Sequence, residues 1–492
     1  MSGHPSAATV LGRAAGETTF TDAPGPVRDR ILYLVADVLA TVVAACGRGD
    51  VARVRSGFPA GRGDATVVGR AEGADPGAAA LLNGMAVAAE QLQDGHRLAR
   101  GHPAAHVVPA VLAVAEASGG SGHAMLSAVL AGYEVGVRVG MAMGGTPDGV
   151  HDIATWGTVG AAAGVAHLLS GGSAPVIAAA VDLAAAIPVL PDAATVFGGS
   201  TGQHAFLGLG THLGVVWGSL AAGGLQVPEG TLERHFGPLA GRSFDPSVIA
   251  GSVTPEGRWR QHAVLEGYVK RHPTCAHLHG ANDAVEDVIA RWHGDPRDIA
   301  SVVVETYAGA AAFDDPGPAN DLAARFSIPY TVAVALVRGR LDDDSFDRRW
   351  LDDGAVRDLA HRVEVRHRHD LDGGYPDGRP AIVTVHLRSG ERVRAAASAP
   401  RGDGPGALDD AVVAGKPRRL LARRVSAPRA AAVLAAVDGL AAGGVAPLTR
   451  ALRALSGDAG RVSPCPPATP GARSLSAGTS LPDRLLPESS FS

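Results

Sequence analysis

Cysteine is nearly missing from this chain: three occur in 492 residues, Cys46, Cys275 and Cys465. Thiols that few and that far apart form neither a disulfide framework nor the closely spaced ligand set of an iron–sulfur cluster, and they suit a reducing compartment. Aromatic residues make up only 4% of the chain, while Ala and Gly abound. That balance argues for close-packed helices with small-residue contacts and against an aromatic-rich binding groove. A formal net charge of −5, with no basic stripe, argues against nucleic acid as a partner. The most apolar stretches, Val176–Val189 and Phe206–Val227, are interrupted by Asp182, Pro188 and His212. They read as buried core helices and not as membrane spans. The start, "MSGHPSAATVLGRAAGETTF", lacks a basic segment followed by a continuous apolar one, so a cytoplasmic chain without a signal peptide is expected. No GxGxxG between strand and helix, no GxxxxGK[ST] and no GxSxG occurs. What is left is acid–base chemistry by His, Asp and Lys, with no cofactor and no metal expected.

What is present is, first, helical periodicity. Val27–Ala45, Ala78–Gln91, Pro109–Ser118, Gly122–Gly140, Thr155–Ser170, Ala174–Ala186 and Leu207–Ala222 carry apolar residues at helical spacing between Gly, Pro and Asp punctuation. Ser121 is placed to cap one of these helices, in which Met125, Val129, Tyr133 and Val137 share a face. After about Arg260 the texture changes. Ala276–His293 is still helical, but "IASVVVETY", "VEVRHRH", "AIVTVHLRSG" and "RVRAAAS" are β-branched or alternating, the last two joined by a Ser389-Gly390 turn. Helical pattern returns at Ser426–Ala442 and Pro447–Leu455. From Ser456 the chain is rich in Pro, Ser and Gly without periodicity, which predicts disorder. The expected fold is therefore mostly α. A large all-helical domain, 1–261 and again 405–455, is interrupted by a smaller α+β domain at 262–404, and a disordered tail follows at 456–492.

Three places carry chemistry. In "DGHRLARGHPAAH" (Asp94–His106), Pro103 suits the first turn of a helix, so His102 stands at or just before a helix N-terminus. The dipole there opposes a positive ring and favours a neutral, base-competent histidine. His102 and His106 are four apart, but the Glu that follows the first histidine in zinc-protease helices is replaced by Pro103. In "GVHDIATWGTVGAAAGVAHLL", His151 precedes a Gly- and Ala-rich helix with Thr158 one turn in. In "GYVKRHPTCAHLHGAND", Lys270 is one of only two lysines, with Lys416, among 44 basic Lys and Arg residues. A position that kept lysine while most became arginine points to a compact charge able to hold a carboxylate or stabilise an enolate. Cys275, five residues on, is compatible with a small buried apolar group.

These segments, together with "LLNGMAVAAE", "AGYEVGVRVG" and "RFSIPYTVAVALVRGRL", occur in an order that resembles the MmgE/PrpD family, whose members include 2-methylcitrate dehydratases and cis-aconitate decarboxylases. The likeness spans about residues 28–340, and "VTVHLRSGERV" extends it towards 400. The resemblance implies a helical domain built from both chain ends, an inserted α+β lid, a homodimer, and an interdomain site that needs neither metal nor cofactor. Carried over, the catalytic groups fall on His102, His151 and Lys270 and near Asp94. Two departures stand out. The acidic run before the His-Pro pair is reduced to "QLQDGH", and where the family has a second lysine this chain has "FGGSTGQHAFLGLG", with Gln203 and His204. Those two, with His96, Arg97, Thr158 and His272, are the candidate substrate contacts, and Arg97 or Arg100 can replace lost positive charge. A substrate less charged than methylcitrate is expected. The first expectation for activity is a hydro-lyase that removes a proton α to a carboxylate or carbonyl and expels a β-hydroxyl from a small hydroxy-carboxylate. The same groups serve an epimerase, isomerase, cyclase or decarboxylase in a specialised pathway, and a non-catalytic scaffold is the contrasting reading.

Overall fold

The structure, a computed structural model, describes residues 5–457. Apart from its first two residues, the segment expected to be disordered lies outside these, as does Cys465. The chain is mostly helical. Its first half contains α1 (Gly25–Ala45), α2 (Pro76–Ala89), α3 (Pro103–Ala117), α4 (Gly122–Ala142), α5 (Trp156–Ser170), α6 (Ala174–Ala186) and α7 (Gln203–Ala222). Around α5 pack α3, α4, α6 and α7. The reason is its composition: "WGTVGAAAGVAHLLS" is apolar or small on every side, so the helix is buried all round. At the crossing with α4, a Cβ on Gly160 would stand 2.8 Å from the Gly132 carbonyl oxygen, so only glycine permits this approach. The small-residue contacts expected from composition are thus present. Ser121 caps α4 by accepting the Ala124 amide.

Two helical expectations change. α3 does not begin at Pro109. It begins at Pro103, whose missing N–H falls in the first turn, and it carries Pro109 in its interior. α7 is not a buried core helix: Leu209 and Leu220 are exposed, and Phe206, Leu213 and Trp217 are half-buried along one stripe. By length and composition α4 and α7 are both apolar enough to cross a membrane, but α4 is almost wholly covered by its neighbours whereas α7 is not.

Just beyond Arg260 the very short strand β2 (Gly267–Tyr268) pairs antiparallel with β1 (Gly95–His96) and ties the later half of the chain to the loop before α3. A four-stranded sheet follows, built from β3 (Ile299–Thr306), β4 (Val363–His367), β5 (Ala381–Leu387) and β6 (Arg392–Ala397) in the order β4-β3-β5-β6. β3 runs parallel to β4 and antiparallel to β5, and β5 to β6 is the expected hairpin. Ile299, Val302, Val304 and Thr306 are the buried residues of β3, which has one face against protein. Helix α8 (His279–Arg291) packs on β5 and β6, and α9 (Ile328–Arg338) packs on α8 and β4. A helix at Ile328–Arg338 was not marked by the periodicity reading; Ser327 caps it by accepting the Tyr330 amide. The chain then returns to the helical body through α10 (Lys416–Ala422), which lies against α1.

Candidate active site

One cavity of about 270 Å³ is bounded by the loop before α3, the segment before α5, the start of α7 and the segment around Lys270. His102, His151 and Lys270 all line it, although they come from three distant stretches of sequence.

His102 is the residue just before α3. Its Nδ1 lies 2.6 Å from the Asp94 carbonyl oxygen. A carbonyl only accepts, so Nδ1 carries the proton and Nε2 keeps the lone pair. Burial, reinforced by the charge of Lys270, holds this ring well below the usual histidine range, so it is a neutral base. His151 has the opposite tautomer. Its Nδ1 accepts the Ile153 amide at 3.0 Å, which leaves the proton of the neutral ring on Nε2. Burial lowers its pKa too. Asp152, whose Oδ1 is 3.3 Å from the same Nδ1, stands ready to stabilise positive charge on that ring. Lys270 is 1% exposed, and its Nζ donates one long bond, 3.4 Å, to Gln91 Oε1. Burial, with Lys416 and Arg379 adding to it, pulls the ammonium down to about 7.

The backbone around this cavity is strained. The described residues include three non-glycine positions with left-handed φ: Gln91 (51°), Arg100 (57°) and Ala154 (64°). Gln91 and Arg100 line the cavity, and Ala154 sits between His151 and α5. Each such residue costs on the order of 1 kcal/mol and persists only where its surroundings over-determine it. Gly101 is equally constrained, since a Cβ there would meet the Trp156 ring at 2.5 Å and Asp152 Oδ2 at 2.6 Å. Buried ions hold the walls in place. Arg325 donates to the carbonyls of Glu90 (2.9 Å) and Pro273 (3.0 Å) and pairs with the Glu90 carboxylate at 3.2 Å.

Several expected site residues lie elsewhere. Asp94 does not face the cavity: its two oxygens accept the amides of Ala104 and Ala105, each at 3.0 Å, and so cap α3. Burial pushes its pKa up to about 7 against the pull of those amides. Its carbonyl still orients His102, so it is a positioning residue. His96 is enclosed beside β2, and burial and the neighbouring Arg97 hold it down to about 3. Arg97 is committed to Glu266 and Asp403. His204 points the other way along α7, with Nε2 3.4 Å from Asp50. Thr158 donates to the Ala154 carbonyl, two residues before its own helix begins. His272 bonds Asp283 at 2.8 Å. His106 is fully paired, to the His102 carbonyl and the Ala154 amide, and serves packing. Of the expected substrate contacts, Gln203 does line the cavity, with Arg100 close by.

The structure adds groups that the sequence reading passed over as contacts: Arg379, Asp152, Cys275, Tyr268 and Gln93 also line the cavity. Gln93 Oε1, Gln203 Nε2 and Arg379 Nε are buried without a hydrogen-bond partner among the described residues. No sequence signal marked Arg379, which follows a Gly- and Pro-rich turn. Among the described residues two groups elsewhere could hold a metal ion, His272–Asp283–Glu286 and the more exposed His367–His369–Asp372. In the first, Arg271 and Arg401 already pair with Glu286.

A helical body is thus joined to an α+β segment, with two histidines and a buried lysine lining one cavity. The MmgE/PrpD N-terminal domain matches residues 10–247, and the MmgE/PrpD C-terminal domain matches residues 272–441. This chain belongs to the MmgE/PrpD family, an enzyme family of dehydratases and decarboxylases. It is 27% identical over 389 residues to the cis-aconitate decarboxylase-like protein oryM of Aspergillus oryzae, covering 71% of this chain and 77% of that one. It is also 27% identical over 391 residues to the cis-aconitate decarboxylase of Aspergillus terreus, covering 71% and 76%.

Proposed function

We propose that this chain is a lyase that works through its own side chains on a small hydroxy-carboxylate, with dehydration as the first reading. The observation that carries it is the pair of opposite histidine tautomers on one cavity, with a buried lysine beside them. His102 Nε2 takes the proton α to the carboxylate or carbonyl. Lys270 stabilises the enolate charge that develops. His151 Nε2–H donates a hydrogen bond to the β-hydroxyl, and the proton that His102 has taken passes to that oxygen; the hydroxyl leaves as water, the α,β double bond forms and both rings return to neutral. Decarboxylation is the second reading, favoured by the names of the fungal relatives. In that reaction the bond to CO₂ breaks, its electron pair stays on carbon, and the Lys270 ammonium protonates that carbon and regains its proton from water. Epimerase, isomerase or cyclase chemistry would use the same base and the same lysine.

Incubation with 2-methylcitrate, citrate, cis-aconitate, malate or benzylmalate in D₂O, followed by proton NMR and CO₂ capture, tests the proposal. Loss or exchange of the α-proton supports the dehydratase reading, and CO₂ release the decarboxylase reading. Absence of all these changes, in protein whose melting is normal, would favour the non-catalytic scaffold. We further propose the segment 262–404 as the inserted lid, a cytoplasmic location, and a homodimer formed through the exposed apolar stripe of α7. Sedimentation velocity of Leu209→Glu and Leu220→Glu variants checks the last point: a dimer that persists in both would remove that surface.

A further inference from the structure

Although the chain is only 4% aromatic, five aromatic residues line this one cavity: Trp156, Phe197, Tyr268, Phe326 and Tyr375. Composition argued against an aromatic-rich groove, and it failed because an average says nothing about placement. Phe197 meets His151 edge-on at 5.0 Å and Phe313 at 5.5 Å, with Phe326 at 6.4 Å. His277 stacks on Phe313 at 5.6 Å and continues to Tyr375 at 5.7 Å, which lies flat on Tyr307 at 5.1 Å. His277 bonds the Tyr307 hydroxyl at 2.5 Å. Burial and Arg379 hold its pKa down to about 3, so the wall carries no charge at neutral pH. Phe197 is 36% exposed, the outermost member of a stack whose other rings are more enclosed.

The opposite character gathers around Arg379. Its guanidinium lies over the Tyr268 ring at 4.9 Å and is 5% exposed. Among the described residues its Nε has no hydrogen-bond partner and its nearest carboxylate, Asp403, is 3.9 Å away. A buried guanidinium with a free N–H and only a distant counter-charge suits an incoming carboxylate, which it can engage with two parallel bonds. Lys270, also lining the cavity, supplies a second positive group below about pH 7.

We infer that the substrate is an amphiphilic acid: a carboxylate held by Arg379 and Lys270, bearing an apolar arm about the size of a phenyl ring or short acyl chain that lies against Phe197, Phe326 and His277. This rests on reading the cavity as the carboxylate site of the lyase proposed above. A uniformly charged tricarboxylate would leave the aromatic wall facing its polar groups. The apolar arm instead removes that wall from water, a burial worth on the order of tenfold or more in affinity.

Isothermal titration with succinate, benzylsuccinate and tricarballylate at pH 6.5 tests the inference without requiring turnover. Benzylsuccinate is expected to bind at least about tenfold more tightly than succinate, and more tightly than tricarballylate. Phe197→Ala should erase most of that advantage while leaving succinate affinity within about twofold. Arg379→Gln should weaken both diacids by about tenfold or more, and Arg379→Lys should restore part of the loss; thermal melting confirms that each variant is folded. Benzylsuccinate no tighter than succinate, tricarballylate the tightest of the three, or no binding by any of them would overturn the inference. Failure of the lyase reading looks different: the binding order holds, but no proton exchange or CO₂ appears with any acid.

Discussion

The chain's two lysines lie in two regions of equal burial and opposite electrostatics. Lys416, at the start of α10, is 0% exposed; its Nζ lies 2.9 Å from Asp37 of α1 and donates to the Leu92 carbonyl at 2.6 Å. Lys270 is 1% exposed, and its one side-chain hydrogen bond among the described residues is the long contact to Gln91. The first lysine closes the structure: it joins the returning chain to α1 and steadies the loop that bears Gln91 and Gln93. The second is left underpaired at a cavity. Scarcity in the sequence therefore singled out two positions where lysine matters, but only the surroundings separate the one that holds the fold from the one that awaits a ligand.

The sharpest way to break this comparison is to remove each amine. Lys416→Met strands the Asp37 carboxyl in the interior and is expected to cost about 3–5 kcal/mol of stability, read by denaturant unfolding. A loss below about 1 kcal/mol would mean that Lys416 does not hold the fold. Lys270→Met should reduce turnover by about 10²–10³-fold with the protein still folded; undiminished turnover would take Lys270 out of the mechanism. The pH response is next in size. The Lys270 amine is cationic only below about 7, so a diacid should bind progressively more weakly as pH rises from 6 to 8, by up to about tenfold per unit. That dependence should vanish in Lys270→Met.

Stability gives a smaller effect of the opposite sign. With its folded pKa near 7, below the ordinary lysine value, Lys270 binds protons more readily in the unfolded chain. Its penalty is full below pH 7 and fades as pH rises towards that ordinary value. Lys270→Met should therefore melt about 2 °C higher than the parent at pH 7, with the gap narrowing at pH 10. The smallest expected effect is at His204, which faces Asp50 and not the cavity. His204→Asn should leave turnover within about twofold, and a large loss would reinstate it as a substrate contact.

The helical body was legible because its apolar residues recur at helical spacing, and the strands because β-branched residues alternate. His102 was legible because Pro103 marks a helix start. What sequence spacing hides is direction. Asp94 and His96 lie close to His102 in sequence, yet one turns both oxygens onto helix amides and the other is enclosed beside β2. Arg97 and Arg100 are one turn apart, yet Arg97 is committed to two carboxylates while the left-handed backbone at Arg100 brings that residue to the cavity. Arg379 carried no signal because its importance comes from being buried with few partners, a property of the assembled fold.

Arg325 has a consequence for recombining this chain with its relatives. One guanidinium bonds the carbonyls at 90 and 273, on either side of the boundary between the two matched halves. A chimera that exchanges only residues 272–441 would inherit a foreign partner for the Glu90 loop, and the left-handed Gln91 beside it would lose its support. Modular exchange in this fold would therefore have to move Glu90, Gln91 and Arg325 as a unit.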